Sequence, residues 1–170
     1  MDRIAVIGCS GGGKSTLARK LSARLGLPAV HLDVLFWRPG WVESDDAGFR
    51  ERLSDALAGG RWITDGNFSR HGALHFGGAE LIVWVDQPRL LCVRRALWRA
   101  LTQFGRKRAD MAEGCRERID LKFLVYIWTW NRVTRPRIEA ALAAFAPATP
   151  VVRLTSDRAI AGWLEGFAPD

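Results

Sequence analysis

The chain has 170 residues, 25 Lys+Arg against 18 Asp+Glu, and 48% hydrophobic residues. That is the size and composition of one globular domain spanning 1–170, and it excludes both a disordered chain and a small stapled fold. The +7 charge is not spread evenly: Arg89 to Arg137 holds 13 basic and 4 acidic residues, a net of +9, while the other 121 residues hold 12 basic and 14 acidic, a net of −2. Such a segment calls for an anionic partner, and nucleotide, nucleic acid and membrane surface all fit.

Cys9, Cys92 and Cys115 are odd in number and contain no CxxC pair. They fit a reducing cytoplasm and give neither a disulfide framework nor a zinc site. His31, His71 and His75 lack metal-ligand spacing. The apolar start is broken at Gly8–Lys14, unlike a signal peptide, and Phe123–Trp130 is far short of the ~20 residues of a membrane span. A cytoplasmic protein without membrane partners is expected.

Short apolar runs alternate with helical patterns. Arg3–Ile7 reads as a buried strand, and Lys14–Leu25 as a helix closed by Gly26 and Pro28. Ala29–Asp33 is the second strand. Asp45–Leu57 is a helix with Ser44 as its N-cap. Arg61–Asp65 and Leu81–Asp86 are the third and fourth strands, and Pro88 starts a helix reaching Phe104. Gly105–Arg118 is polar, basic and punctuated by glycine, hence a loop or lid. Asp120–Asn131 is apolar on most faces and reads as a buried helix, and Arg137–Phe145 as a separate one beyond Pro136. Pro150–Leu154 is the fifth strand and Asp157–Phe167 the last helix. Strands alternating with helices predict an α/β fold, a five-stranded parallel sheet covered on both faces. Trp62, Trp84, Trp98, Trp128, Trp130 and Trp163 fall on these elements and read as core.

Gly8-Cys9-Ser10-Gly11-Gly12-Gly13-Lys14-Ser15 matches G-x-x-x-x-G-K-[ST] between a strand and a helix. Glycine lets the backbone wrap a phosphate with its N–H groups inward. The helix that follows adds unpaired N–H groups and a positive dipole end. Gly8, Ser10, Gly11, Gly12, Gly13, Lys14, Ser15 and Thr16 are thus expected to hold ATP, with Lys14 on the β- and γ-phosphates and the Ser15 hydroxyl on Mg²⁺. Asp86, ending the most apolar strand, either joins Ser15 at the Mg²⁺ or caps the next helix. Gln87 follows it where an ATP-driven motor would carry Glu, and no N-K-x-D guanine signature is present. A phosphotransferase is favoured over a motor or a switch.

Ligands of a parallel sheet sit beyond the carboxyl ends of its strands. Asp33 and Asp65 fall there, with Gly66 and Arg70 close behind. A carboxylate there can take the proton of an attacking hydroxyl, and an Arg can grip a phosphate through two parallel hydrogen bonds. Trp37 and Trp41 either stack on a base or cover the sheet edge. In the basic segment, Arg94, Arg95, Arg99, Arg106, Lys107, Arg108, Arg116, Arg118, Arg132, Arg135 and Arg137 are candidates to close over a phosphate chain, and about three of them are expected to touch it. Arg106, Arg116 and Arg132 are taken as catalytic.

The chain resembles the P-loop kinase-like proteins of the DNA topology modulation (FlaR-like) family, relatives of adenylate kinase. The matching stretches are Gly8–Thr16, His31-Leu32-Asp33, Phe36–Trp41, Trp62–Arg70, Asp86–Arg89, Asp110–Cys115, Asp120–Trp128 and Thr134–Arg137. The resemblance implies a three-layer nucleotide-kinase fold using ATP and Mg²⁺. It implies an acceptor site in which Asp65-Gly66 and Arg70 stand where adenylate kinases carry Asp-Gly-Phe-Pro-Arg, here one residue longer. The expected activity is γ-phosphate transfer to a small acceptor, a nucleotide first. The alternatives are a hydroxyl-bearing metabolite, with Asp33 as base, and a nucleotide-dependent DNA-binding regulator.

Overall fold

The computed structural model describes residues 1–106 and 110–167. Lys107 and Arg108 of the expected lid lie outside the described residues.

Five parallel strands form the sheet: β1 (Arg3–Gly8), β2 (Ala29–His31), β5 (Trp62–Asp65), β6 (Leu81–Val85) and β7 (Val151–Leu154), in the order β2-β5-β1-β6-β7. Two further strands, β3 (Trp37–Arg38) and β4 (Val42–Glu43), make a separate antiparallel hairpin. The five predicted strands are all present, each within two residues of its expected ends. β1 lies at the centre, with β2 and β5 on one side and β6 and β7 on the other, so the crevice for a ligand opens beyond its C-terminal end.

Alternation along the strands sets the two faces. Ile4 and Val6 of β1 and Val83 and Val85 of β6 pack against Leu17 and Leu21 of α1 (Lys14–Leu25) and Leu164 of α7 (Asp157–Glu165). Ala5, Ile7, Ile82 and Trp84 face the other way, against Cys92 and Ala96 of α5 (Arg89–Thr102) and Ile127, Trp130 and Ile138 of α6 (Leu121–Phe145). Each fully buried large side chain contributes roughly 1.5–3 kcal/mol of transfer free energy, so both helical layers are fastened by the sheet itself. This is a three-layer α/β/α arrangement.

Four local expectations are corrected. The second strand stops at His31, because Leu32, Leu35 and Phe36 recur at helical spacing and bury against Phe49 and Leu53 of α3 (Asp46–Leu57), forming the short helix α2 (Leu32–Phe36). Asp33 therefore sits in the first turn of a helix, where a carboxylate is favoured by the dipole. The cap of α3 is Asp45, whose Oδ1 accepts from the Gly48 N–H at 2.8 Å, while Ser44 Oγ donates to the Phe36 carbonyl. The Asp45 carboxyl is held below the usual range by that same hydrogen bond.

Pro136 does not divide its helix: α6 runs unbroken from Leu121 to Phe145. The buried positions Ile127, Trp130, Ile138, Ala141 and Leu142 keep one helical stripe across it, and this packing outweighs the roughly 3 kcal/mol cost of an interior proline. Finally, Trp62, Trp84 and Trp130 are buried as expected, but Trp98 is 69% and Trp128 is 50% exposed. The sheet has no area left for the outer stripes of α5 and α6.

No helix among the described residues is long and apolar enough to cross a membrane.

Candidate functional site

Between β1 and α1 the loop folds as its glycines require. Gly8, Gly11 and Gly13 all have positive φ, at 138°, 83° and 101°. A Cβ on Gly8 would stand 2.2 Å from the Val85 carbonyl oxygen, and one on Gly11 would stand 2.4 Å from that of Cys92. The loop is thus pressed against β6 and the first turn of α5, and no other residue fits at either position. Gly12 N–H donates to the Cys9 carbonyl at 3.1 Å, and Lys14 Nζ folds back to the same carbonyl at 3.2 Å. The result is a backbone cradle with an ammonium at its rim, the donor set a phosphate chain needs.

Two residues lock this cradle that the sequence did not single out. Asn67 Oδ1 accepts from the Gly8 N–H at 2.9 Å, and Asn67 Nδ2 donates to the Gly8 carbonyl at 3.0 Å. This reciprocal pair ties the loop to the turn after β5. Cys92 reaches the loop from α5: its thiol hydrogen-bonds with Cys9, and that bond and burial push the Cys9 thiol up, so it stays protonated. The only signal in the sequence is Asn67's place directly after Asp65-Gly66.

The loop forms one wall of a cleft of about 1340 Å³. Of the predicted site residues, Ser10, Gly11, Gly12, Gly13, Lys14, Ser15, Thr16, Asp33, Trp37, Asp65, Gly66, Arg99 and Arg106 line it. Gly8, Arg70, Asp86, Arg116 and Arg132 do not. Gly8 lies behind the cradle, against β6. Arg70 is exposed on the single turn Ser69–His71. The Asp86 carboxylate is taken by Arg135 of α6, with nitrogen–oxygen distances of 3.3 and 3.2 Å. It follows Trp84 on the α6 face of the sheet, away from α1. Arg116 is exposed, and its carbonyl accepts from Trp41 Nε1 at 3.0 Å. Arg132 is exposed on α6.

On the acceptor side, Asp65 ends β5 with its side chain buried. Its Oδ2 pairs with His31 Nδ1 at 3.0 Å, and its Oδ1 is buried with no hydrogen-bond partner among the described residues. Asp33, Tyr126 and Phe68 share this end of the cleft. Burial pushes the Tyr126 hydroxyl up to about 12, keeping it a neutral donor, although its hydrogen bonds to Asn67 and Thr134 pull the other way.

The two tryptophans take a position not foreseen. Trp37 and Trp41 meet edge to face at 5.5 Å and pack on Met111, Ala112 and Cys115, which form a small buried cluster of their own. The Cys115 thiol donates to the Arg38 carbonyl at 3.2 Å. The β3–β4 hairpin therefore clasps the loop between α5 and α6. The neck of that loop is stitched by Gly105 N–H to the Glu117 carbonyl and Glu117 N–H to the Arg106 carbonyl, both 2.9 Å. Arg99 is fixed beside it by Glu117 at 2.8 Å. The expected lid is a loop, but one with a core.

The cradle and Lys14 fit a phosphate chain. Arg95 and Asp157, paired at 2.5 Å, line the cleft farther along, between α5 and α7. No group of three or more His, Cys, Asp or Glu residues that could hold a metal occurs among the described residues. Mg²⁺ usually keeps several waters and binds through one or two carboxylates plus phosphates, so Ser15 with the cleft carboxylate Asp65, whose Oδ1 has no hydrogen-bond partner among the described residues, fits it.

No family model matches this chain, and no curated protein does. Its fold is similar to that of a shikimate kinase from Acinetobacter baumannii in complex with shikimate, at 15% identity and TM-score 0.59, covering 98% of this chain and 90% of that one. It is also similar to an unliganded sugar kinase from Janibacter sp. HTCC2649, at 17% identity and TM-score 0.52, covering 100% of this chain and 99% of that one. The likeness is one of fold, and it runs over nearly the whole chain.

Proposed function

We propose that this chain is an ATP-dependent phosphotransferase acting on a small acceptor. The observation that carries the reading is that the Ser10–Ser15 part of the cradle and the carboxylates of Asp33 and Asp65 line one cleft. Loop N–H groups and Lys14 bind the phosphates, while Arg95, Arg99 and the N-terminal end of α7 flank the remainder of the nucleotide. Ser15 and Asp65 would hold Mg²⁺, which would supply charge neutralisation on the phosphate chain when bound. Asp65 is proposed for that second contact in place of Asp86, which Arg135 already engages.

Asp33 is proposed as the group that takes the proton from the acceptor, with the Tyr126 hydroxyl as a neutral hydrogen-bond donor beside it. Trp37 and Phe68 form an apolar wall for the acceptor body. Arg106 lies at the loop neck, where it can meet charge developing on the transferred phosphoryl group. Arg116 and Arg132, both outside the cleft, have no role in this scheme.

The acceptor is proposed to carry a hydroxyl rather than a monophosphate. A nucleotide acceptor of the adenylate-kinase type needs an arginine on its phosphate, and the residue expected for that, Arg70, lies outside the cleft lining. Shikimate, bound by one of the structures similar in fold, is a hydroxyl-bearing acid of this general kind. The three free cysteines support a reducing, cytoplasmic setting. A panel of polyols, sugars, hydroxy acids and nucleoside monophosphates, scored by ADP release, tests the choice. Turnover is expected with a hydroxyl compound; turnover with monophosphates alone would return the reading to a nucleotide kinase.

A further inference from the structure

Away from the cleft, α5 and α6 lie side by side and antiparallel. Arg89, at the start of α5, donates to the Trp128 carbonyl at 3.2 Å and stacks over its ring at 4.1 Å. Leu97 and Ala100, farther along α5, share a crevice with Phe123 and Leu124, near the start of α6. Each helix turns its inner stripe to the sheet, and each carries a second apolar stripe outside.

On α5 that stripe is Leu90, Leu97, Trp98 and Leu101, exposed by 69, 37, 69 and 64%. These positions and Arg94 repeat at the three- and four-residue spacing of one helix face. On α6 it is Leu121, Val125 and Trp128, exposed by 73, 60 and 50%. At roughly 100 Å² of apolar surface apiece, the seven side chains present about 700 Å². The largest patch on an ordinary monomer is about 300–600 Å², whereas each partner in a standard interface buries about 800 Å². The patch therefore has the size of half an interface.

We propose that this face is the dimer interface of the protein, occupied by a second copy of the same chain. Two parallel stripes on adjacent helices are self-complementary about a two-fold axis, and pairing them packs four helices together. The composition is that of an interface core: Trp and Leu with Arg, and neither Asp nor Glu on the stripes. The exposed charges beside the apolar side chains are Arg94, Lys122 and Arg132, all positive. In a dimer these like charges of the two copies are brought towards one another at the rim, so added salt screens a repulsion and strengthens association. On an anionic bilayer the same charges would be attractive, and salt would weaken binding.

The test is sedimentation equilibrium on the full chain, with flotation on vesicles of phosphatidylglycerol and phosphatidylcholine alongside. The expected mass is about 38 kDa, twice the 19.0 kDa of one chain, at concentrations of about 10 µM, held or strengthened by salt. The double substitution Trp98→Glu and Leu101→Glu is expected to weaken dimerisation by about 100-fold or more. Both side chains already face solvent, and an unchanged far-UV circular dichroism spectrum checks that the variant is folded. A chain that stays monomeric at about 100 µM overturns the proposal. So does a dimer indifferent to the double substitution, or a monomer that floats with anionic vesicles and is released by salt.

Discussion

The two walls of the cleft are built in different ways. The phosphate wall is backbone: Gly8, Gly11 and Gly13 shape it, and Lys14 adds one charge. It is one continuous segment between a strand and a helix, pressed so tightly to Val85 and Cys92 that a single methyl would not fit. The acceptor wall is side chain, gathered from α2, the turn after β5, the β3–β4 hairpin, the Met111–Cys115 loop and α6. A backbone site recognises what all nucleotides share, whereas a side-chain site recognises what distinguishes one acceptor from another. The first is fixed by sterics and the second by packing, so they should fail differently.

Gly11→Val is the harshest way to break the contrast. Its Cβ would overlap the Cys92 carbonyl, so the loop must move. Loss of ATP affinity by about 100-fold or more is expected in calorimetric titration, with a fall in stability of about 1–3 kcal/mol. Retained affinity would mean that the cradle is not the nucleotide site.

Asp33→Asn acts on the other wall. It keeps the shape and removes the base, so kcat should fall by about 10²–10⁴-fold while ATP affinity holds. Parallel loss of ATP binding would show that the two walls are not separable.

Behind the acceptor wall, against the turn that carries Phe68, lies an acid sensitivity. His75, in the short helix α4 (Gly72–His75), is fully buried, and its Nε2 lies 3.4 Å from the carbonyl of Phe68. Burial holds it neutral, lowering its pKa from 6.5 to about 4. Its folded value is below the unfolded one, so the unfolded chain binds the extra proton between these values. The full contribution is present above 6.5 and is lost as pH falls towards 4. Moving from neutral pH to about pH 5 should cost about 2 kcal/mol in urea denaturation, and His75→Leu should flatten that slope.

The smallest effect is expected from Arg70→Ala, within about two-fold in kcat/KM, because surface substitutions away from a site seldom matter. A large loss there would restore Arg70 to the acceptor and favour a monophosphate.

The same contrast governs what could be read from the chain. The phosphate loop is contiguous and its residue types follow from steric limits, so eight adjacent residues were enough to recognise it. The central strands β1, β5 and β6 were legible for a related reason: buried on both faces, they are dominated by apolar residues. The acceptor wall is not contiguous. The stretches Phe36–Trp41 and Asp110–Cys115 each stood out, but nothing in one announces that it packs on the other. Asn67 was hidden because its role, two hydrogen bonds to Gly8, exists only after β1 and β5 pair. Asp86 misled because a strand-ending Asp looks the same whichever face it takes; here it follows Trp84 towards α6 and meets Arg135. Trp98 and Trp128 misled because periodicity marks an apolar stripe without saying whether the sheet has room for it.

The assignment of the cleft as a phosphotransferase site rests on Lys14 more than on any other side chain. The direct measurement is ADP formation by the wild-type chain and by Lys14→Ala, each with the best acceptor from the panel. Acceptor-dependent ADP release is expected from the wild type, falling by on the order of 10²–10³-fold in the variant. Undiminished turnover in Lys14→Ala, or a wild-type chain that binds no ATP, would contradict it.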